Sequence, residues 1–344
     1  MLAARMYEKN DIRMEHVPTP EPGPGELLLR VKAAAVCGTD IRMIKNGAKG
    51  ITPQSPCILG HEIAGIIEKT GAGVTAFHAG QRVAIAPNIG CGVCDTCVSG
   101  KGHLCPDYKA LGINMDGGFA EYCLVPQSAV AQGNICLLSD NVSFEEAALN
   151  EPLSCVYNGF ERARIEPGCN VLVVGAGPIG LMHCILALMA GANVYLSDIS
   201  TDRLHQARKL YPAIRTISSD LKNEIMQATA GHGADVIITA CPVPAIQTLA
   251  IEIAALEARI IFFGGIPEDK QPVALNTNAI HYKQLMVSGT TRASVSQYRK
   301  TLQLIAAGCI DIKPLITGRY SLGDIQEAID CAARGEGIKH VIVF

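Results

Sequence analysis

The chain reads as an α/β protein of two domains, a turn-rich β unit followed by a doubly wound parallel sheet. Three observations predict this. Its 344 residues exceed what one hydrophobic core usually holds. Up to about residue 150, short apolar runs are broken by Gly and Pro. From about 165 to 290, continuous Val/Ile runs alternate with helix-length segments, the mark of parallel strands covered on both faces.

The elements follow in order. ELLLRVKAAAV, EIAGIIEKTG, RVAIAP and FAEYCLVP read as strands of the β unit. NVLVVG then opens the alternating half as a fully apolar strand, and PIGLMHCILALMA follows as a helix. NVYLSDI is the next strand and TDRLHQARKLY the next helix. AIRTIS, a helix around LKNEIMQATA, DVIITA, a helix around AIQTLAIEIAAL, RIIFFGG and LMVSGTT complete the series. From SQYRKTLQLIAAG to KHVIVF the pattern is helix, turn, helix and terminal strand, and this stretch is assigned back to the first domain. The boundaries expected are 1–150 for the β unit, 151–288 for the parallel sheet and 289–344 for the return.

Composition narrows the function classes. Hydrophobic residues make up 49% of the chain, with 34 glycines, as in a well-filled globular enzyme with many tight turns. A net charge of −3 gives no reason to expect a nucleic-acid or membrane-surface partner. No apolar run approaches the length of a spanning helix, and the first residues read as a strand and a charged turn, not a targeting peptide. Fourteen cysteines without an export signal point to a reducing cytoplasm, where thiols act as ligands or core filler.

Four of them, Cys91, Cys94, Cys97 and Cys105, form C-x2-C-x2-C-x7-C in a loop too rich in Gly, Ser and Asp to be a core element. That spacing lets four thiolates close a tetrahedron around a structural zinc ion. Disulfides suit small secreted chains, whereas a four-iron cluster uses a similar motif and stands as the competing reading.

Gly175, Gly177 and Gly180 form G-x-G-x-x-G where VLVVG ends and a helix begins, with Pro178 and Ile179 between the last two glycines. In that context the glycines serve a tight turn, close approach of backbone to a pyrophosphate, and helix–sheet packing. The helix N-terminus offers N–H groups to the phosphates. Asp198 closes the second strand, placed either for an adenosine ribose or as a helix N-cap. Its charge would repel a 2′-phosphate and favours NAD over NADP. Arg203 keeps NADP open, although a place beside the adenine suits it as well.

A second constellation joins Cys37 in CGTD, His61 and Glu62 in GHE, and Glu151 before Pro152. One thiolate, one imidazole and carboxylates make an open ligand set of the catalytic kind, although each residue alone is ambiguous. Together with CGTD at 37–40, GHEIAG at 60–65, the four-cysteine loop, DGGFAEY at 116–122, EPL at 151–153 and GAGPIG at 175–180, the chain resembles the zinc-containing medium-chain dehydrogenases over nearly its whole length. A glutamate at 151, where animal and plant alcohol dehydrogenases carry cysteine, is similar to the polyol branch of sorbitol, galactitol-1-phosphate and threonine dehydrogenases.

The resemblance implies a GroES-like β-barrel catalytic domain, a Rossmann domain, a cleft between them, two zinc ions per subunit, NAD, and a homodimer or homotetramer. It implies Cys37, His61 and Glu62 as catalytic-zinc ligands, with Glu151 binding directly or through water. Asp40 would orient a ligand, and can also cap the helix after it. Thr39 would take the substrate proton. Gly264 and Gly265 would lie near the nicotinamide ribose, and Thr290 and Thr291 beside nicotinamide and substrate. The implied chemistry is reversible oxidation of a secondary alcohol of a polyol, sugar alcohol or polyol phosphate. L-Threonine 3-dehydrogenase is the enzymatic rival, and a non-catalytic zinc- and nucleotide-binding regulatory or structural protein is the alternative of another class.

Two departures bear on substrate. Many relatives place a relay histidine five residues after the zinc cysteine, where this chain has Arg42, which cannot exchange protons near neutral pH. Arg42, Lys45 and Lys49 form a basic stretch, RMIKNGAKG, either an attraction for an anionic polyol or an ordinary solvated helix end. Phe119 and Arg292 are further candidate substrate contacts, with a salt bridge the other reading for Arg292.

Overall fold

The structure, a computed structural model, describes residues 1–218 and 220–344. The chain forms two compact units. One comprises Met1–Ser154, Arg292–Gly308 and Ile312–Phe344, and the other Cys155–Thr291 and Cys309–Asp311.

The first unit is built around the strand Leu27–Ala35, whose apolar residues are buried on both sides. It pairs antiparallel with Glu62–Thr70, Tyr122–Val125 and the last strand, Lys339–Val343. Ala35 stands opposite Glu62 on one side and Val341 on the other. That register carries Glu62 and the C-terminal strand to the same end of the central strand. Leu27, Leu29, Ile63, Ile67, Val83, Ile85 and Phe119 fill the core between this sheet and the hairpin Leu2–Glu8/Asp11–His16.

The helix Phe144–Ala163 carries Glu151, and sequence periodicity leaves it unassigned because Pro152 and Gly159 interrupt the pattern. Its start is nevertheless encoded: Ser143 and Glu146 form a reciprocal capping pair, with Glu146 N–H donating to Ser143 Oγ at 3.2 Å and Ser143 N–H to Glu146 Oε2 at 3.1 Å. One expectation is corrected. The helix placed over AIQTLAIEIAAL ends at Glu252, and Ala254–Phe262 is a strand. Parallel pairing with Ala234–Thr239 supplies backbone partners that a helical continuation would forgo.

The second unit is a six-stranded sheet, all of whose pairs are parallel. From one edge to the other its strands are Arg215–Ile217, Asn193–Ser197, Asn170–Val174, Ala234–Thr239, Ala254–Phe262 and Met286–Gly289. In chain order this is 3-2-1-4-5-6, the dinucleotide-binding arrangement, whose order reverses between strands 1 and 4. Among the described residues no helix is long and apolar enough to cross a membrane.

Candidate active site and metal centres

Two groups of side chains converge as metal sites do. The first is the four-cysteine loop, whose ligand atoms all lie within 4.8 Å of one another. Cys91 and Cys97 sulfurs are 3.9 Å apart, and those of Cys94 and Cys105 are 3.7 Å apart. A disulfide needs about 2 Å, whereas a tetrahedron with bonds of about 2.3 Å has edges of about 3.8 Å. A four-iron cube would hold the sulfurs farther apart than one ion does. Backbone N–H groups of Cys91 and Cys94 point at the sulfurs of Cys105 and Cys91, which stabilises thiolate charge. The donor set fits zinc.

The second group is Cys37, His61 and Glu62, also within 4.8 Å of one another. Cys37 is the N-cap of the helix Gly38–Asn46, and Asp40 is its third helical residue. Asp40 is fully buried. One of its oxygens accepts from the Cys37 N–H at 2.9 Å, and the other lies 3.3 Å from His61 Nδ1. A single buried carboxylate therefore accepts from the Cys37 backbone and stands beside the His61 ring. Burial opposes protonation of His61, but Asp40 and Cys37 outweigh it and hold its pKa well above the usual range. Two anionic neighbours that attract a proton to an imidazole also suit a cation in its place.

Glu62 is fully buried, and Lys339, itself only 4% exposed, donates to its two oxygens at 2.7 and 2.5 Å and to the Val36 carbonyl at 2.8 Å. All three ammonium protons are thereby used. Burial and the neighbouring Glu151 push the Glu62 carboxyl up, while Lys339 and His61 pull it down. Burial opposes the charge on Lys339 in turn, and Glu62, Cys37 and Asp40 outweigh it. Each carboxylate oxygen keeps a lone pair for a metal, so the ion pair and ligation are compatible. Lys339 is the residue that sequence reasoning missed. Its signal was a lysine opening an otherwise apolar terminal strand.

Glu151 is buried and close enough to Glu62 to raise its pKa, but stands outside the tight group of three. Ser154 Oγ donates to its carbonyl at 2.6 Å, beside Pro152, which has no N–H to give the helix. Thr39, two residues after Cys37, accepts a hydrogen bond from Arg42 at 2.9 Å. Lys45 is exposed on the same helix.

Two expected substrate contacts lie elsewhere. Phe119 is fully buried, its ring filling the space a Cβ at Gly60 would need, so it is a core residue. Arg292 stacks over Tyr108, 3.8 Å from the ring centroid, and donates to the His103 carbonyl at 3.0 Å. Cation–π stacking and a carbonyl partner hold its side chain at the four-cysteine loop.

In the second unit, Gly175 has φ +113° at the end of Asn170–Val174, and a Cβ on Gly180 would collide with its carbonyl oxygen. Only glycine satisfies both positions. Gly177 caps the helix Pro178–Met189, with Pro178 first and Ile179 second in it. Asp198 accepts from the N–H groups of Ala176 at 2.7 Å and Ser200 at 2.8 Å. The N-cap of the next helix is Ser200, which accepts from Arg203 N–H. Asp198 thus braces the glycine turn. Gly264 packs against Cys241 backbone with Gly265 beyond it, Asn158 Nδ2 donates to the Thr291 carbonyl at 3.4 Å, and the Thr290 hydroxyl is buried.

Residues 23–134 match the alcohol dehydrogenase GroES-like domain and residues 178–307 the zinc-binding dehydrogenase domain. A sorbitol dehydrogenase of Bacillus subtilis is 33% identical over 337 residues, covering 96% of this chain and 93% of its own. This chain belongs to the zinc-dependent medium-chain dehydrogenases. An L-threonine 3-dehydrogenase of Pseudoalteromonas translucida is 31% identical, covering 98% of each chain. An alcohol dehydrogenase from Escherichia coli CFT073, solved with NADH, superposes with a TM-score of 0.90 at 27% identity, covering 100% and 99% of the two chains. The medium-chain dehydrogenase described here is accordingly a zinc-dependent NAD(P) oxidoreductase of the polyol and threonine branch, acting on CH–OH groups.

Proposed function

We propose that this enzyme reversibly oxidises a secondary alcohol of a polyol, sugar alcohol or polyol phosphate to a ketone, with NAD as the hydride acceptor. The observation that carries the reading is the convergence of Cys37, His61 and Glu62, with a further buried carboxylate, Glu151, next to Glu62. Those residues would hold the catalytic zinc, and the four cysteines a second, structural one. When bound, zinc supplies Lewis-acid polarisation of the substrate hydroxyl, and NAD the hydride-accepting carbon.

The chain's own residues do the rest. Asp40 accepts from the Cys37 backbone and stands beside His61, and Lys339 binds both oxygens of Glu62. Thr39 receives the substrate proton: Arg42 occupies one lone pair of its oxygen, leaving one to accept and the O–H to donate onward. Arg42 orients this relay and passes no proton itself. At the glycine turn, Asp198 retains lone pairs for ribose hydroxyls and its charge opposes a 2′-phosphate. Gly264, Gly265, Thr290 and Thr291 would flank the nicotinamide.

Arg42, exposed beside Thr39, and Lys45, exposed on the same helix, favour an anionic polyol among the candidates. We also propose a cytoplasmic location, where thiols serve as metal ligands and core filler, and expect a homodimer or homotetramer. The test is NADH formation by the zinc-loaded enzyme across free polyols, their phosphates, sugar acids and L-threonine. Preference for phosphates or acids supports the anion reading, preference for free polyols removes it, and activity confined to threonine overturns the substrate class.

A further inference from the structure

At the edge of the parallel sheet, the strand Arg215–Ile217 pairs with Asn193–Ser197 on one side. Among the described residues no strand covers its other side. Between this edge and the helix Thr201–Leu210 lies a groove of about 740 Å³, within the range of small-molecule sites. Thr201, Leu204, His205 and Arg208 recur at the spacing of one helix face and line one wall, with Lys209 and Pro212 beyond them. Thr216 and Ser218 line the other, with Glu224 from the next helix, Leu221–Ala228. All of these residues belong to the second unit, and neither Asp198 nor the glycine turn is among them.

Cations in the last turn of a helix answer its dipole, so Arg208 and Lys209 alone would say nothing about a ligand. Their setting does. Among the described residues, the exposed side chains of His205, Arg208 and Lys209 make no ion pair or hydrogen bond. The acid in the lining, Glu224, is taken by Ser218, whose N–H donates to Oε2 at 3.1 Å and whose hydroxyl donates to Oε1. The hydroxyls of Thr201 and Thr216 have no partner among the described residues. Buried Leu204 gives the groove an apolar floor. In a chain of net charge −3, this concave surface keeps a local excess of positive charge.

The donor set selects the ligand. A guanidinium fork matches phosphate oxygens two at a time, and an ammonium adds a point charge beside it. Hydroxyls that both donate and accept match the hydroxyls of a sugar. No Phe, Tyr or Trp lines the groove, so a nucleobase would find no ring to stack on. We propose that this groove binds a sugar phosphate, at a site separate from those of the cofactor and the alcohol. Arg208, Lys209 and His205 take the phosphate, and Thr201 and Thr216 the sugar hydroxyls.

Isothermal titration of the zinc-loaded enzyme tests this, with glucose 6-phosphate as the probe and NADH saturating so that the cofactor's own phosphate sites are filled. Binding should survive Arg42→Ala. It should weaken about 10-fold in Arg208→Ala and about 100-fold when Lys209→Ala is added, roughly one charge-assisted hydrogen bond for each. Arg208→Lys, which keeps the charge and loses the fork, should fall between the parent and Arg208→Ala. Melting temperatures should match the parent, because both side chains are exposed. Binding lost in Arg42→Ala and kept in the double variant would put the phosphate at the alcohol site and overturn the proposal. Absence of binding, or equal heat from unphosphorylated glucose, would overturn it as well.

Discussion

Lys339 donates to both oxygens of Glu62 at 2.7 and 2.5 Å, joining the last strand of the chain to the strand that follows the ligand histidine. Both groups are buried, so neither charge is sustained by water. Removing one partner of such a pair costs far more than the pair itself contributes, because the other charge is left uncompensated. Lys339→Met should destabilise the protein by about 3–5 kcal/mol and lower its content of catalytic zinc. Urea unfolding with metal analysis checks this, and an unchanged midpoint would refute it.

The Arg42–Thr39 hydrogen bond predicts the pH profile of turnover. Arginine does not titrate near neutrality, so the parent enzyme has no inflection from this position. Arg42→His introduces a group with an ordinary pKa of about 6.5, and log kcat against pH should acquire a break near that value. Arg42→Ala should raise KM for phosphorylated or acidic polyols by about 10-fold, roughly one charge-assisted hydrogen bond, with little change for uncharged ones.

The two metal centres should separate by mutation. Cys37→Ser should reduce turnover by more than about 100-fold, beyond the usual cost of losing an outer partner of a ligand, with folding preserved. Cys97→Ser should instead lower the melting temperature, since the loop exposes Val93 and Val98 and brings its sulfurs to 3.7–3.9 Å, the spacing of ligands on one ion. Zinc per chain and thermal unfolding, measured on both variants, decide the matter.

These sites differ in how far the sequence exposed them. The four-cysteine loop and the glycine turn were legible because their ligands are local, with spacing that encodes geometry directly. The parallel sheet was legible because both-face burial leaves unbroken Val/Ile runs. Lys339 was not, because its partner Glu62 lies across a sheet register and is 277 residues away in sequence. The helix Phe144–Ala163 was hidden by Pro152 and Gly159, even though its Ser143–Glu146 capping pair was present. Phe119 and Arg292 illustrate the converse: sitting near a motif in sequence said nothing about which way the side chain turns.

Asp198 combines cofactor choice with bracing of the glycine turn, so its replacement should show both effects. Asp198→Ser removes the charge that opposes a 2′-phosphate and shortens the reach to Ala176 N–H, at 2.7 Å in the parent. The ratio of kcat/KM for NAD to that for NADP should fall by about 10- to 100-fold, alongside a loss of about 1–2 kcal/mol in stability. Steady-state kinetics with both cofactors tests the first effect and denaturant unfolding the second.

His183 predicts an acid limit on stability. It lies fully buried in the helix Pro178–Met189, packed edge-on against Phe263 at 4.8 Å, and burial pushes its pKa down to about 3 from 6.5. The native imidazole is therefore neutral where the unfolded one takes up a proton. Because the unfolded chain binds more protons between about pH 6.5 and 3, stability is full above 6.5 and declines as pH falls through that window. At about pH 5 the loss from this one group amounts to about 2 kcal/mol. His183→Leu, of similar volume and without a titrating group, should flatten this part of the stability curve. Urea unfolding of both proteins at about pH 7.5 and 5 measures the difference, and equal losses in the two would assign the acid sensitivity to other groups.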